Sequence, residues 1–327
     1  MTRIGIMSFA HMHAHSYAAC INMLPGAELA AIWDADARRG RKMAKEFETS
    51  FVKDLEKFLD TEMEGVIVTA ENVNHRVLVE AAAEAGLWVL CEKPLAPTVE
   101  DAAAMVTTCK KAGIGLGTAF PCRYAQPLMA VKDMLDSGNY GDVYAVSCTN
   151  HGQSPGGWFA DEELSGGGAT MDHTVHVVDL LRWMLGKEFK RVYCELGNQL
   201  HKDTLDTDDL GSLHLEMEGG IQVSHVASWS RPKTFPTWGD VTMEFICEGG
   251  VINTDAFNQK LMVYDDNAKS ASWAPWGDNP DLGLVQDFVE AVRDKRFPTI
   301  TGVDGLRATE VTVAAYDAYK NRKTVTL

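Results

Sequence analysis

The chain lacks any run of about eighteen apolar residues, the length a bilayer-spanning helix needs, so no membrane span is predicted. It also lacks the features of a signal peptide. Met1-Thr2-Arg3-Ile4-Gly5-Ile6-Met7 enters a short apolar strand at once, without a long hydrophobic stretch or a small-residue cleavage site, and the expected location is the cytoplasm. The seven cysteines (Cys20, Cys91, Cys109, Cys122, Cys148, Cys194, Cys247) are odd in number and scattered, with no C-x-x-C pair. That excludes a disulfide framework or structural zinc and fits a reducing compartment. Positive charge is scarce: 30 Lys and Arg face 46 Asp and Glu, a net charge of −16. A surface this acidic repels phosphate backbones and excludes nucleic acid as a direct partner. An anionic cofactor must then be met locally, by backbone N–H groups at a helix N-terminus. Repeats, low-complexity segments and long linkers are absent as well.

What is present is an ordinary globular composition, 46% hydrophobic and 23% charged, over 327 residues, enough for two domains. In the first third, short β-rich runs alternate with helical ones. Strands are expected at 4–9, 28–33, 65–69, 87–91 and 114–118, and helices at 17–23, 36–47, 74–85 and 98–112. Such alternation with short links predicts a doubly wound parallel sheet of the Rossmann type. After Ala119 come a helix at 126–136, a strand at 142–150, a glycine-rich loop and a helix at 168–185. Alternating strands follow at 190–198, 210–218, 221–230, 240–248 and 260–264, then helices at 282–293 and 302–321. The expected fold is α/β followed by α+β, the second part holding a large, mostly antiparallel sheet flanked by helices. The domains are read as 1–120, dinucleotide-binding, and 121–327, substrate-binding.

A dinucleotide-binding loop usually carries G-x-G-x-x-G between its first strand and helix. Here Ser8 and Ala10 stand at the first two glycine positions and His13 at the third. Small residues still permit close backbone approach to a pyrophosphate, so Ser8, Phe9, Ala10, His11 and Met12 are candidate cofactor contacts. The alternating histidines of His11-Met12-His13-Ala14-His15 also admit a metal reading, but helical metal ligands are spaced by three or four, and no metal is expected. Asp34 ends the second strand, where an acidic side chain accepts hydrogen bonds from the adenosine ribose and repels the 2′-phosphate of NADP. NAD is therefore expected to bind at least about tenfold tighter than NADP, although Arg38 and Arg39 lie one turn on. Asp34 as a cap of the following helix is the competing role.

Two further motifs carry chemistry. Cys91-Glu92-Lys93-Pro94 follows the fourth strong strand, at the sheet edge where doubly wound folds bind ligands. Glu92 and Lys93 are candidate cofactor contacts there. Gly166-Gly167-Gly168 then runs into a helix on which Asp172 and His176, four apart, share one face, extended by Asp179 and Trp183. A histidine stacked beside an aspartate suits acid–base work near neutral pH. The alternatives are a divalent metal site on Asp172, His173, His176 and Asp179, or a plain structural face. Candidate substrate contacts are Arg123, Asn150, Trp158 and His173. Trp158, Trp229, Trp238, Trp273 and Trp276 offer either stacking faces to a sugar or bulk to a core.

Taken in order, the small-residue loop, Asp34, Asn72-Val73-Asn74-His75, Glu92-Lys93-Pro94, Arg123-Tyr124 with Pro127, and G-G-G-x-x-x-D-x-x-x-H from Gly166 to His176 resemble the glucose–fructose oxidoreductase and inositol dehydrogenase (Gfo/Idh/MocA) family over essentially the whole chain. The phosphate loop lacks the family's glycines, and Ala70-Glu71 stands where Thr-Pro is usual. The resemblance implies a Rossmann domain with bound NAD and a C-terminal domain whose open sheet supports a homodimer or homotetramer. It implies Asn72 and His75 near the cofactor and commonly a cis Lys–Pro peptide. It also implies Lys93 beside nicotinamide and substrate hydroxyl, Asp172 orienting the substrate, and His176 as acid–base. The expected activity is hydride transfer between NAD and a secondary alcohol or carbonyl of a polyol, sugar or sugar-derived substrate. Two alternatives share the fold: an NAD-binding regulator without turnover, and an enzyme that oxidises transiently for a net hydrolysis or elimination.

Overall fold

The computed structural model describes residues 1–235, 237–257, 259–267, 269–275 and 279–327. The chain divides into two units. One comprises Met1–Pro121, Glu163–Gly166 and Asp281–Thr309, and the other Cys122–Glu162, Gly167–Pro280 and Glu310–Leu327. A single cut after residue 120 does not provide for the return of the late stretch 281–309 to the first unit.

The first unit alternates strand and helix: β1 (Thr2–Met7), α1 (His13–Met23), β2 (Ala27–Trp33), α2 (Ala37–Glu46), β3 (Ser50–Phe51), α3 (Leu55–Leu59), β4 (Gly65–Val68), α4 (His75–Glu84), β5 (Trp88–Cys91), α5 (Val99–Ala112) and β6 (Leu116–Thr118). All strand pairs are parallel, in the order β3-β2-β1-β4-β5-β6. Strand order reverses at β1, so the loops after β1 and β4 open a crevice where doubly wound folds bind ligands. Ile4, Ile6, Met7, Val66, Ile67, Val68, Val89 and Leu90 are buried, as strands covered on both faces must be. Side-chain caps fix several helix starts: Asp36 accepts from Arg38 N and Arg39 N, Asp54 from Lys57 N, and Thr98 from Asp101 N. α5 ends on Gly113 at φ +71°, a left-handed cap.

The second unit begins with α6 (Gln126–Asp136) and β7 (Val143–Gly152); a one-turn α7 (Glu162–Ser165) precedes the glycine loop and α8 (Ala169–Leu185). Then come β8 (Phe189–Gly197), β9 (Leu210–Met217), β10 (Gln222–Ser228), β11 (Gly239–Cys247), β12 (Gly250–Asp255), β13 (Lys260–Asp265) and β14 (Ser270–Pro275). α9 (Pro280–Asp294), which from Asp281 belongs to the first unit, α10 (Gly302–Asn321), which belongs to the second from Glu310, and β15 (Val325–Thr326) close the chain. The large sheet runs β12-β11-β7-β10-β9-β8-β15, and β13 and β14 form a two-stranded sheet. Its pairs are antiparallel except β7–β10, so the sheet is mixed. Along β9 and β10 buried and exposed residues alternate, and α8 packs against β7, β9 and β10.

Candidate active site

In the first unit, Ser8 stands at the first glycine position with φ +81°, a left-handed backbone that L-residues adopt at a cost of about 1–3 kcal/mol. Its surroundings hold it there. Ser8 N donates to Trp33 O at 2.6 Å, Ser8 O accepts from the Thr69 hydroxyl at 2.7 Å, and Ser8 Oγ accepts from Ala10 N at 3.1 Å. The loop residues Phe9, Ala10, His11 and Met12 follow, with no acidic residue in the first turn of α1. Met12 N has no hydrogen-bond partner among the described residues, which leaves a helix-start donor open to an anion. A cavity of about 620 Å³ adjoins the loop, lined by Phe9, Met12, Asp36, Arg38, Arg39 and Lys42 among others. These features fit a dinucleotide.

Asp34 directly follows β2, but its carboxylate is not bare. Oδ2 accepts from Phe9 N at 2.8 Å and Oδ1 from Asp36 N at 2.8 Å, while Arg39 grips both oxygens, Nε to Oδ2 at 2.7 Å and Nη2 to Oδ1 at 2.8 Å. The side chain is fully buried. An exposed charge turned toward the ribose is therefore not what the structure shows; the cap of α2 is Asp36.

Glu92 is also buried and fully engaged. It accepts from Lys93 N at 2.9 Å and the Tyr17 hydroxyl at 2.6 Å, and lies 2.9 Å from His13 Nδ1. Burial alone raises a carboxyl pKa, but the charges of His11 and His13, the His13 hydrogen bond and Lys93 outweigh it and hold Glu92 well below the usual range. Burial lowers the His13 pKa, and Glu92 more than offsets this, raising it above the ordinary value. Lys93, 5% exposed, is thus braced through its own backbone, and the Lys93–Pro94 peptide is cis. His75 packs against the turn that follows β5. It is buried, with Nδ1 3.1 Å from Pro94 O and Nε2 3.2 Å from Ala70 O, so it supports the turn behind Lys93. Asn72 is likewise turned inward, its Nδ2 donating to Ser165 O at 2.8 Å.

His11, His13 and Glu92 are the one group among the described residues gathered closely enough to hold a cation. However, His11 Nδ1 already accepts from His13 N at 3.1 Å, so its lone pair there is committed to the loop.

In the second unit the start of α8 is fixed by residues that the sequence reading missed. Gly168 N and Thr170 N donate to the two oxygens of Asp208 at 3.1 and 2.8 Å, Ala169 N to Asp208 O at 2.8 Å, and Met171 N to the Tyr316 hydroxyl at 3.2 Å. Tyr316 in turn donates to Asp208 Oδ1 at 2.6 Å. The four N–H groups that a helix leaves orphaned are all satisfied. A Cβ on Gly168 would stand 1.8 Å from Asp208 O, so only glycine permits this approach. The acidic run Asp206-Thr207-Asp208-Asp209 is the only local hint of the cap.

On that helix Asp172, His173 and His176 are all buried. Asp172 Oδ2 accepts from Trp229 Nε1 at 3.2 Å and lies 3.2 Å from His173 Nε2. His173 Nδ1 is 2.9 Å from Asn150 O, and Asn150 Nδ2 donates back to His173 O at 3.2 Å. Asn150 therefore braces His173, and His173 with Trp229 orients Asp172. Trp229, with no exposed surface, offers no stacking face. Trp158 stacks on Phe159 at 3.8 Å, Trp238 is exposed, and Trp276 and the Trp273 side chain lie outside the described residues. Arg123 forms a buried fork with Asp179, Nε to Oδ2 at 2.8 Å and Nη2 to Oδ1 at 2.5 Å. This also withdraws Asp179 from any metal set with Asp172.

Residues 3–120 match the model of an oxidoreductase family with an NAD-binding Rossmann fold, and residues 128–253 that of the Gfo/Idh/MocA C-terminal domain. The chain is 36% identical over 296 residues to a 1,5-anhydro-D-fructose reductase of Ensifer adhaerens, across 86% of this chain and 85% of that one. It is 24% identical to a myo-inositol 2-dehydrogenase of Thermotoga maritima, across 99% and 97%. In fold it is similar to GenD2 from gentamicin A biosynthesis, solved in complex with NAD, at a TM-score of 0.91 and 23% identity over 100% of this chain and 96% of that one.

Proposed function

Because the chain belongs to the Gfo/Idh/MocA family of oxidoreductases, we propose that it moves hydride between a nicotinamide dinucleotide and a secondary alcohol or carbonyl carbon of a polyol, sugar or sugar-derived substrate. The observation that carries this reading is the bracing of the two motifs: Glu92 and His75 fix Lys93, and Asp208, His173 and Trp229 fix Asp172 on the helix that bears His176. A merely structural helix face has no need of so many polar supports.

The dinucleotide supplies the hydride acceptor or donor, and the residues of this chain supply binding and proton management. The first loop, through Ser8 to Met12, receives the pyrophosphate. Asp172 accepts hydrogen bonds from a substrate hydroxyl. His176 takes the hydroxyl proton as hydride leaves the same carbon, and returns it in the reverse direction. Lys93 stabilises the alkoxide that develops on that oxygen, an effect of a few kcal/mol in a water-excluded site. Asn72 and His75 act behind Lys93.

We place the protein in the cytoplasm, consistent with seven buried cysteines, none of them in a disulfide among the described residues. No helix among the described residues is long and apolar enough to cross a membrane. We assign a homodimer or homotetramer contact to the outer face of the seven-stranded sheet, where the cross-strand neighbours Ile246 and Val251 are exposed.

The test is a polyol and sugar panel with NAD and NADP, read at the reduced-nicotinamide band. On the best substrate, Lys93→Met lowers kcat by about a hundredfold or more. His176→Gln lowers kcat and removes the acidic limb of its pH profile. A folded, dinucleotide-binding His176→Gln variant with near-normal kcat and an unaltered profile removes His176 from the mechanism.

A further inference from the structure

We infer that Trp238 is a specificity-determining residue: its indole lies beside the Asp172–His173 pair and selects ring-form carbohydrates over open-chain polyols. This rests on the oxidoreductase reading given above.

Exposure alone does not single Trp238 out, because scattered surface aromatics are ordinary. Its backbone setting does. Trp238 is 45% exposed in the loop that joins β10 to β11, and that loop is tied down at several points. Gln153 N donates to Trp238 O at 3.0 Å, and Gln153 Nε2 donates to Phe235 O and Thr237 O at 3.3 and 3.2 Å. Arg231 N donates to Gly152 O at 2.8 Å, while its guanidinium lies 4.4 Å from the centre of the Phe235 ring and pairs with Asp240. A side chain on so constrained a backbone is in place before a ligand arrives, so binding does not have to order it.

Two facing glycines decide where the indole lies. Gly152 and Gly239 are register partners on β7 and β11. A Cβ on Gly239 would stand 2.0 Å from His151 O, so only glycine permits that approach. A Cβ on Gly152 would stand 3.3 Å from Trp238 Nε1 and 3.1 Å from His173 Nε2, so both rings close in on one bare stretch of backbone. His173 Nε2 is in turn 3.2 Å from Asp172 Oδ2. Trp238 Nε1 donates to no described residue, which leaves an N–H and a broad apolar surface open beside the carboxylate assigned to the substrate hydroxyl. The body of an indole matches the flat C–H face of a carbohydrate ring, and its N–H matches a ring hydroxyl. An open-chain polyol turns its hydroxyls to all sides and offers no such face.

The experiment sorts the sugar and polyol panel into rings and open chains, with D-glucose against D-sorbitol and D-xylose against xylitol as pairs of one carbon skeleton. It reads kcat and KM for the full-length protein at saturating dinucleotide. Ring forms are expected to give the higher kcat/KM. Trp238→Ala lowers the ratio of ring to open-chain kcat/KM by about tenfold and Trp238→Phe by about threefold, with the loss in KM because the stacked face is the same before and during hydride transfer. Gln153→Leu, which loosens the loop, moves the ratio the same way by about threefold, an effect that a role in folding alone does not give. A parent that favours open chains, or variants whose ratio equals the parent's, overturns the inference and leaves the enzyme reading intact. If the parent turns over no member of the panel, the enzyme reading falls and this inference with it.

Discussion

Asp208→Asn is the change that best tests whether the start of α8 is built for function. In the parent, one carboxylate serves two sides. Oδ1 accepts from Gly168 N at 3.1 Å and the Tyr316 hydroxyl at 2.6 Å, and Oδ2 accepts from Thr170 N at 2.8 Å. An amide keeps one acceptor, so one of the two helix N–H groups faces an NH2 instead. Losing a cap bond costs about 1 kcal/mol, and losing a negative charge at a buried helix N-terminus adds about 1–2 kcal/mol. The sum, about 2–3 kcal/mol, lowers the melting temperature by roughly 5–10 °C in a unit of this size. Because Asp172 sits one turn on and His176 two, the released turn also misplaces them, and kcat falls by about tenfold or more. Dinucleotide affinity is expected to hold, since the first loop makes no use of Asp208. Differential scanning fluorimetry beside steady-state kinetics reads both effects. A variant melting within about 1 °C of the parent, with unchanged kcat, refutes the idea that Asp208 sets this helix in place.

Three other outcomes follow from particular contacts. Asp179→Asn strips the buried Arg123 of its carboxylate and destabilises by about 3–5 kcal/mol, whereas the double change Arg123→Met/Asp179→Leu recovers most of the loss; equal melting temperatures for parent and Asp179→Asn contradict the assignment of a structural pair. His225, buried on β10, has its pKa pushed by burial, and then by the charges of His173 and His151, from 6.5 down to about 3. A folded pKa below the unfolded one gives stability that is present above pH 6.5 and lost as pH falls toward 3, about 1.4 kcal/mol per unit, so urea unfolding at pH 7 and pH 5 differs by about 2 kcal/mol more in the parent than in His225→Gln. Exhaustive chelation leaves activity unchanged, because His11 Nδ1 is committed to His13 N; stoichiometric zinc lost together with turnover contradicts this.

The elements that the sequence announced are those whose signal is local. Gln126–Asp136 and Gly302–Asn321 carry helical periodicity with a polar or glycine stop, and their observed bounds equal the expected ones. β3, α3, β12 and β14 were not expected; β3 spans two residues and α3 five, too few for a period to register. The site divides in the same way. Lys93, Asp172 and His176 stand in short motifs, whereas the contacts that assign Arg123, His75 and Asp34 join residues far apart or depend on rotamers. Arg123 meets Asp179 across 56 positions, His75 meets Pro94 across 19, and Asp208 reaches Thr170 across 38. Arg39 is only five residues from Asp34, yet pairing and non-pairing look alike in a sequence. A charge can be read from letters, but its neutralisation cannot.

That limit bears on the electrostatics of the first loop. A chain of net charge −16 has to receive a polyanionic cofactor, and two of its carboxylates, Asp34 and Glu92, lie beside the loop proposed to receive the pyrophosphate. Left bare, each repels the ligand in a medium where water screens poorly. Each is instead engaged by a side chain, Asp34 by the Arg39 guanidinium and Glu92 by the His13 imidazole, and each turns its remaining acceptors to the backbone: Phe9 N and Asp36 N for one, Lys93 N for the other. The same bonds do mechanical work. With serine and alanine in place of two glycines, the loop has less freedom to adopt the turn by itself, and Ser8 is held at positive φ by Trp33 O, Thr69 and Arg39. Polar side chains thus fix a conformation that glycines make accessible elsewhere, and in doing so they turn an acidic neighbourhood into one that an anion can enter.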